Sequence, residues 1–231
     1  VSNSVKDYVL ENYPKVVPNK LTVIHRGVDP TAYPHGYQPP PDWLSSWRTE
    51  FPQLDGKFVI TLPGRITQLK GHGEFIRLFE SLDPTVFHGL IVGGIHPKRQ
   101  EYADSLKREI RDHGLSAAIT FTGHRTDLRE IFAVSDAVLS LTTQPESFGR
   151  TTLEALALGR PVLGYQHGGV GEILDALFPQ GKLAVGDMAA LTQTLQSWQT
   201  DPPKPAAQNI FTLENMCRNT LEVYRSLNQT D

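Results

Sequence analysis

Residues 144–164 read QPESFGRTTLEALALGRPVLG, a loop that turns into a helix and then runs into a buried strand. Glu146 and Glu154 stand eight residues apart across the loop–helix junction. Between them come Ser147, Phe148, Gly149, Arg150 and the hydroxyl pair Thr151 and Thr152, where the first helical turn is expected. The first N–H groups of a helix have no internal partner and carry the positive end of its dipole. Gly149 leaves room for a bulky group to approach that backbone, and a diphosphate is the ligand such an end suits. Eight residues is a little over two turns, so Glu154 faces roughly the phosphate side, one step further in. There it is placed to accept two hydrogen bonds from a ribose diol, and Glu146, at the mouth, to do the same for a sugar. The same residues also fit a plainer reading, a helix with an acidic cap and one glutamate at the edge of the core.

The change from apolar run to helix recurs on both sides of this stretch. Strands are expected over 58–62, 90–92, 119–121, 137–141, 161–164 and 183–185. Helices are expected up to residue 82, over 101–113 and 128–134, from the central motif, at Ile173, and over 188–198. Strands alternating with helices of this length mean right-handed crossovers and a parallel sheet covered on both faces. The expected fold is therefore a three-layer α/β/α, Rossmann-like domain over residues 1–200. DPPKP at 201–205 breaks the pattern, so 201–231 is read as a linker and a closing amphipathic helix over about 213–227. Ahead of the sheet, residues 4–13 have helical spacing and LTVIHRGVD, from Leu21, is a short β-branched run. Asp42 is expected to cap the helix WLSSWRTEF, with Trp43 and Trp47 as a packing stripe. The chain opens VSNSVKDYVLENY without an initiator methionine and reads as a piece of a longer protein.

With 231 residues, 39% of them apolar and 20% charged, the chain has material for a substantial core. A net charge of −3 argues against a nucleic-acid partner, which needs a basic face. The lone Cys217 cannot form an internal disulfide, which points to a reducing, cytoplasmic compartment, and its expected role is a small buried side chain. No apolar run is long enough to span a membrane.

Ligands of an open parallel sheet bind at the carboxyl ends of its strands. The loop after the first strand carries Gly64, Arg65 and, five residues on, Lys70-Gly71, two cations beside a glycine turn suited to a diphosphate. Two exposed surface cations would read the same way. There is neither a Walker loop nor a GxGxxG after a strand, so ATPase and dinucleotide-dehydrogenase readings are poor. Asp-x-Asp is absent and the eight histidines lack ligand spacing, so neither a metal nor another cofactor is expected. Glu172 is read as capping the helix that His167-Gly168-Gly169 opens, and Arg150 either as a third cation of the site or as a solvent-facing residue.

Glu146-Ser147-Phe148-Gly149, then Glu154-Ala155, then Gly159-Arg160-Pro161-Val162 resembles the donor-site signature of the retaining GT-B glycosyltransferases. The pattern is most similar to family 4, the glycosyl transferases group 1, whose bacterial members build lipopolysaccharide and other surface glycans. The resemblance implies the C-terminal, donor-binding half of such an enzyme, its N-terminal acceptor domain lying before residue 1. It implies transfer of a sugar from a nucleotide-diphosphate donor to a glycan or lipid-linked acceptor, with retention, in the cytoplasm or at the inner face of the plasma membrane. Arg65 and Lys70 match the family's phosphate clamp, and with Glu146 are the residues implied to act on the reaction. Gly64, Ser147, Phe148, Gly149, Arg150, Thr151, Thr152 and Glu154 fall in its donor site. Thr122-Gly123-His124-Arg125 looks like the segment beside the nucleobase, where His124 and Arg125 flank a base or simply face solvent. A nucleotide-sugar binding module without chemistry, or a GT-B epimerase, are the alternatives.

Overall fold

Six short apolar runs pair into one parallel sheet in a computed structural model that describes residues 1–228. They are β1 (Phe58–Pro63), β2 (Phe87–Val92), β3 (Ile119–Gly123), β4 (Ala137–Ser140), β5 (Val162–Tyr165) and β6 (Lys182–Leu183), in the order β3-β2-β1-β4-β5-β6. The helices are α1 (Asn3–Asn12), α2 (Pro41–Glu50), α3 (His72–Phe79), α4 (Gln100–Asp112), α5 (Leu128–Ala133), α6 (Arg150–Ala157), α7 (Gly168–Leu177), α8 (Met188–Thr200) and α9 (Leu213–Asn228). Near-continuous apolar strands are what a sheet buried on both faces requires, and β2 and β4 are buried at every residue. Successive side chains point to opposite faces. Ile60, Leu62 and Ile91 accordingly join Phe75 and Phe79 in the main core. Val59, Leu90 and Val92 meet Trp47, Phe51 and Ile131 on the other side. Helices α4 and α8 pack beside α3 in one layer, while α5, α6, α7 and α1 form a contiguous series in the other. The expected three-layer architecture is the one observed.

Several local expectations change. The β-branched LTVIHRGVD run forms no strand among the described residues, and only Val28 in it pairs with a neighbour. It bridges Thr212, its N–H bonding Phe211 O at 3.0 Å. Asp42 does not cap α2. That helix starts two residues earlier than expected, at Pro41, whose fixed φ suits a first position, and Asp42 lies in the first turn against the helix dipole. Helix α7 begins at Gly168, where His167-Gly168-Gly169 opens it, rather than at Ile173, and Gly168 itself has a left-handed φ of 59°. Cys217 is exposed on α9 rather than buried. The Trp43 and Trp47 rings stack with centroids 5.0 Å apart, and the Trp43 indole N–H bonds Asp127 Oδ2 at 2.8 Å. The segment after residue 200 returns to the body of the protein, burying Phe211 before α9 begins. No helix among the described residues is long and apolar enough to cross a membrane.

Two histidines sit in this core. His88 on β2 is 1% exposed, its Nε2 2.9 Å from Thr120 Oγ1 and its Nδ1 without a partner. His72 opens α3 fully buried, its Nδ1 3.1 Å from Thr67 O and its Nε2 without a partner. Burial disfavours the charged imidazolium and pushes both pKa values down to about 4. The unfolded chain, with ordinary histidines near ~6.5, binds more protons than the folded one between the two values, so stability rises with pH across that window. The contribution is complete above the unfolded value and lost as pH falls through the folded one. At about pH 5 each histidine should cost roughly 2 kcal/mol of stability relative to pH 7.5. Urea unfolding at the two pH values measures this, and His88→Gln should remove its own share of the difference.

Candidate functional site

Adjacent strands β1 and β4 lead in opposite directions across the sheet, β1 toward β2 and β4 toward β5. With right-handed crossovers their helices, α3 and α6, must then lie on opposite faces, and the two loops part at the carboxyl edge to leave a crevice. The walls of this crevice are tied together at its base. Thr143 N–H bonds Leu69 O at 3.0 Å. Gly71 has a left-handed φ of 74°, and a Cβ there would stand 2.1 Å from Leu141 O. Across the mouth Lys70 Nζ donates to Glu146 Oε1 in a partly buried ion pair. Arg65, on the same loop as Lys70, is exposed and has no ion pair among the described residues.

Glycines join the neighbouring loops into one surface. Gly64 N–H bonds Val92 O at 2.9 Å and Gly93 N–H bonds Gly123 O at 3.0 Å. A Cβ on Gly93 would fall 1.8 Å from Gly64 O, and one on Gly94 3.4 Å from the Cβ of exposed His124. Gly64, Gly123 and His124 thus share the edge that Lys70 occupies. Arg125 is engaged within the protein. Its guanidinium bonds Asp127 at 2.7 Å and Glu50 at 2.9 Å and covers the Trp47 ring, holding α2 to the sheet.

On the other wall, the Leu153 N–H bond to Gly149 O is the first to close a turn of α6. The preceding N–H groups, those of Arg150, Thr151 and Thr152, therefore have no intrahelical acceptor. Thr152 is 1% exposed and its hydroxyl has no partner. Gly149 has φ 94°, and a Cβ there would meet Val170 Cγ2 at 2.6 Å. The room it makes is taken by α7 rather than left for a ligand, because a helix crossing at that point needs the backbone bare. Ser147 is exposed, whereas the Phe148 ring is core, 6.0 Å from the Phe211 ring centroid. Gly169 N–H bonds Glu146 O at 2.8 Å, pinning the loop.

Glu154 is 4% exposed and its Oε1 accepts from Arg150 Nε at 2.8 Å, while the Arg150 side chain is 71% exposed. A buried carboxylate needs such a partner. Arg150 is therefore neither a free cation nor a purely solvent-facing residue. Burial and the adjoining Glu154 carboxylate raise the Tyr33 phenol above its usual pKa. Tyr33 is a site neighbour that sequence reasoning missed, since its loop has no periodicity to mark it. Glu172 does not cap its own helix α7. Its carboxylate accepts from Ser4 N–H at 2.7 Å and Asn3 N–H at 2.9 Å, capping α1 from across the sequence. Burial would raise that carboxyl, but these donors outweigh it and hold it below the usual range.

Beside the crevice lies a cavity of about 830 Å³ between α1 and α7, lined in part by Tyr8, Glu146, Ser147, His167, Gly168 and Glu172. Glu146 thus faces Lys70 on one side and this cavity on the other. The arrangement is a carboxylate at the mouth, a buried carboxylate behind it, a helix start and two cations, suited to an anionic ligand that carries hydroxyls.

A family model described as glycosyl transferases group 1 matches residues 45–211. The chain is 26% identical over 200 residues to the lipopolysaccharide core biosynthesis mannosyltransferase LpcC of Rhizobium leguminosarum bv. viciae, a match covering 86% of this chain and 55% of that protein. A glycosyltransferase of Rickettsia africae ESF-5 superposes with a TM-score of 0.85 at 25% identity, over 100% of this chain and 63% of its own. Anabaena Alr3699/HepE, solved in complex with UDP and glucose, superposes with a TM-score of 0.86 at 24% identity, over 97% and 62%. The chain therefore spans little more than half of the curated relative it matches.

Gly149→Ala should lower stability by about 2–4 kcal/mol, from the left-handed backbone and the clash with Val170 together. Val170→Ala in that background should restore the clash share alone. Denaturant titration of the two variants measures both, and an unchanged midpoint for Gly149→Ala would return this glycine to a role toward ligands.

Proposed function

Since the chain belongs to the glycosyl transferases group 1 family, we propose that it is the C-terminal donor half of a retaining glycosyltransferase. The whole enzyme takes a hexose from a nucleotide-diphosphate donor and passes it to a glycan or lipid-linked acceptor in the synthesis of lipopolysaccharide or another surface polysaccharide. The observation that carries this reading is the crevice between β1 and β4. One wall holds Arg65 and Lys70, and the other the helix start of α6 with Glu146 and Glu154 around it. The UDP and glucose in the HepE structure are a ligand of the same class.

Negative charge grows on the departing diphosphate as the glycosidic bond breaks, and fixed donors aimed at it stabilise that state. Arg65, Lys70 and the N–H groups of Arg150, Thr151 and Thr152 supply those donors, the work a metal ion does elsewhere. Among the described residues no group of three or more His, Cys, Asp or Glu could hold a metal. Glu154 takes the ribose diol once Arg150, largely in solvent, swings toward the phosphates. Glu146 takes hydroxyls of the sugar. Retention is assigned to front-face attack, with Glu146 and Glu154 given to the sugar and the ribose rather than to a nucleophile. The acceptor comes from the part of the enzyme that the relatives possess beyond this match, and the enzyme works on the cytoplasmic side of the membrane.

A nucleoside diphosphate should stabilise the chain, by about 2.7 kcal/mol at roughly 100 times its Kd. Arg65→Ala and Lys70→Ala should each weaken binding by about 1.5–3 kcal/mol, the loss of a charge-assisted contact. Thermal shifts with UDP, GDP and ADP test the first statement and titration calorimetry the second. Flat thermal shifts with all three nucleotides would end the donor-site reading.

Glu154→Ala should weaken a nucleoside diphosphate and its sugar ester by the same factor, because the ribose is common to both. Calorimetry with the two ligands checks this. A loss confined to the sugar ester would move Glu154 from the ribose to the sugar.

A further inference from the structure

The Lys70–Glu146 pair joins the two walls of the crevice, and both of its ends are held from behind. The Lys70 stem runs over Gly64, where a Cβ would stand 3.4 Å from Lys70 Cδ. The Leu69 carbonyl just before it is tied to Thr143 N–H, and Glu146 is pinned through its carbonyl by Gly169 N–H. Both side chains are mostly buried, at 28% and 22% exposure, and Glu146 has no other cationic partner among the described residues. The pair is thus set by the backbone around it rather than by two long side chains meeting in solvent.

We infer that Glu146 competes with the diphosphate for Lys70, and so sets the preference of the site for the sugar-bearing donor over the bare nucleoside diphosphate. The inference rests on the donor-site reading above and adds a discriminating role to it. A diphosphate that takes Lys70 strips Glu146 of its counter-charge and places another anion beside it. If a sugar is attached, its hydroxyls give the carboxylate new donors. A bare diphosphate offers none and adds only repulsion, as with any site that leaves a desolvated charge unpaired. When the sugar departs, Glu146 loses its donors and takes Lys70 back, which loosens the spent nucleotide. The carboxylate that grips the sugar is then also the group that releases the product.

The test is titration calorimetry of the 231-residue chain with UDP, GDP and ADP and with UDP-glucose, GDP-mannose and ADP-glucose. Glu146→Gln should tighten the bare nucleoside diphosphate about fivefold, the equivalent of a pair worth about 1 kcal/mol, while the sugar nucleotide gains nothing. In a Lys70→Ala background the same substitution should tighten nucleoside diphosphate binding by clearly less than in wild type, because the competition for the cation is gone and only the repulsion is relieved. Glu146→Asp, which draws the charge back from Lys70 by one methylene, should fall between wild type and Glu146→Gln. It serves in its place if the amide variant unfolds. Wild type that binds a nucleoside diphosphate while both Glu146 variants bind it no better overturns the inference and leaves the donor site standing. Absence of binding by wild type and variants alike overturns both.

Discussion

Everything at the functional edge depends on one constraint, that β1 and β4 are neighbours in the sheet but send their chains to opposite faces. Right-handed crossovers allow no other arrangement once the strand order reverses between them. The backbone must part there, and a gap opens beside helix-start N–H groups that have no intrahelical acceptor. Lys70 and Glu146 close this gap across its mouth. A crevice bridged by its own charges stays shaped without collapsing.

Arg65 apart, the charges at the crevice are paired within the protein. Arg150 holds Glu154 and Lys70 holds Glu146. The two pairs differ physically. Glu154 is buried and needs its arginine, whose own side chain is mostly in water, so the pair relieves a desolvation penalty more than it adds Coulomb energy. Lys70 and Glu146 are comparably screened, so neither relies on the other to offset a full desolvation penalty. Pairing of this kind avoids unpaired buried charge at the crevice.

The glycines show how a motif residue can serve the fold first. Gly149 and Gly169 are bare because α7 lies against the start of α6, and Gly93 because the loop after β1 lies on it. These contacts hold the loops that line the crevice against one another. Close packing of backbone on backbone, rather than open space, is what these positions provide.

The sequence by itself determined the alternation of six apolar runs with amphipathic stretches, and hence the parallel three-layer fold. It also placed the Glu146–Glu154 frame at a helix start and Arg65 and Lys70 in the loop of an earlier strand. These features are local: side-chain period and turn chemistry act between residues a few positions apart. Only the tertiary structure decided that Lys70 meets Glu146 across 76 residues and that Glu172 caps α1 across 168. It also decided that Arg125 is spent on α2, that the LTVIHRGVD run finds no strand to pair with, and that Tyr33 lies beside Glu154. Those contacts follow from which strands are neighbours and which helices share a face. Burial and crossover handedness settle that for the whole chain at once, and no single stretch encodes it.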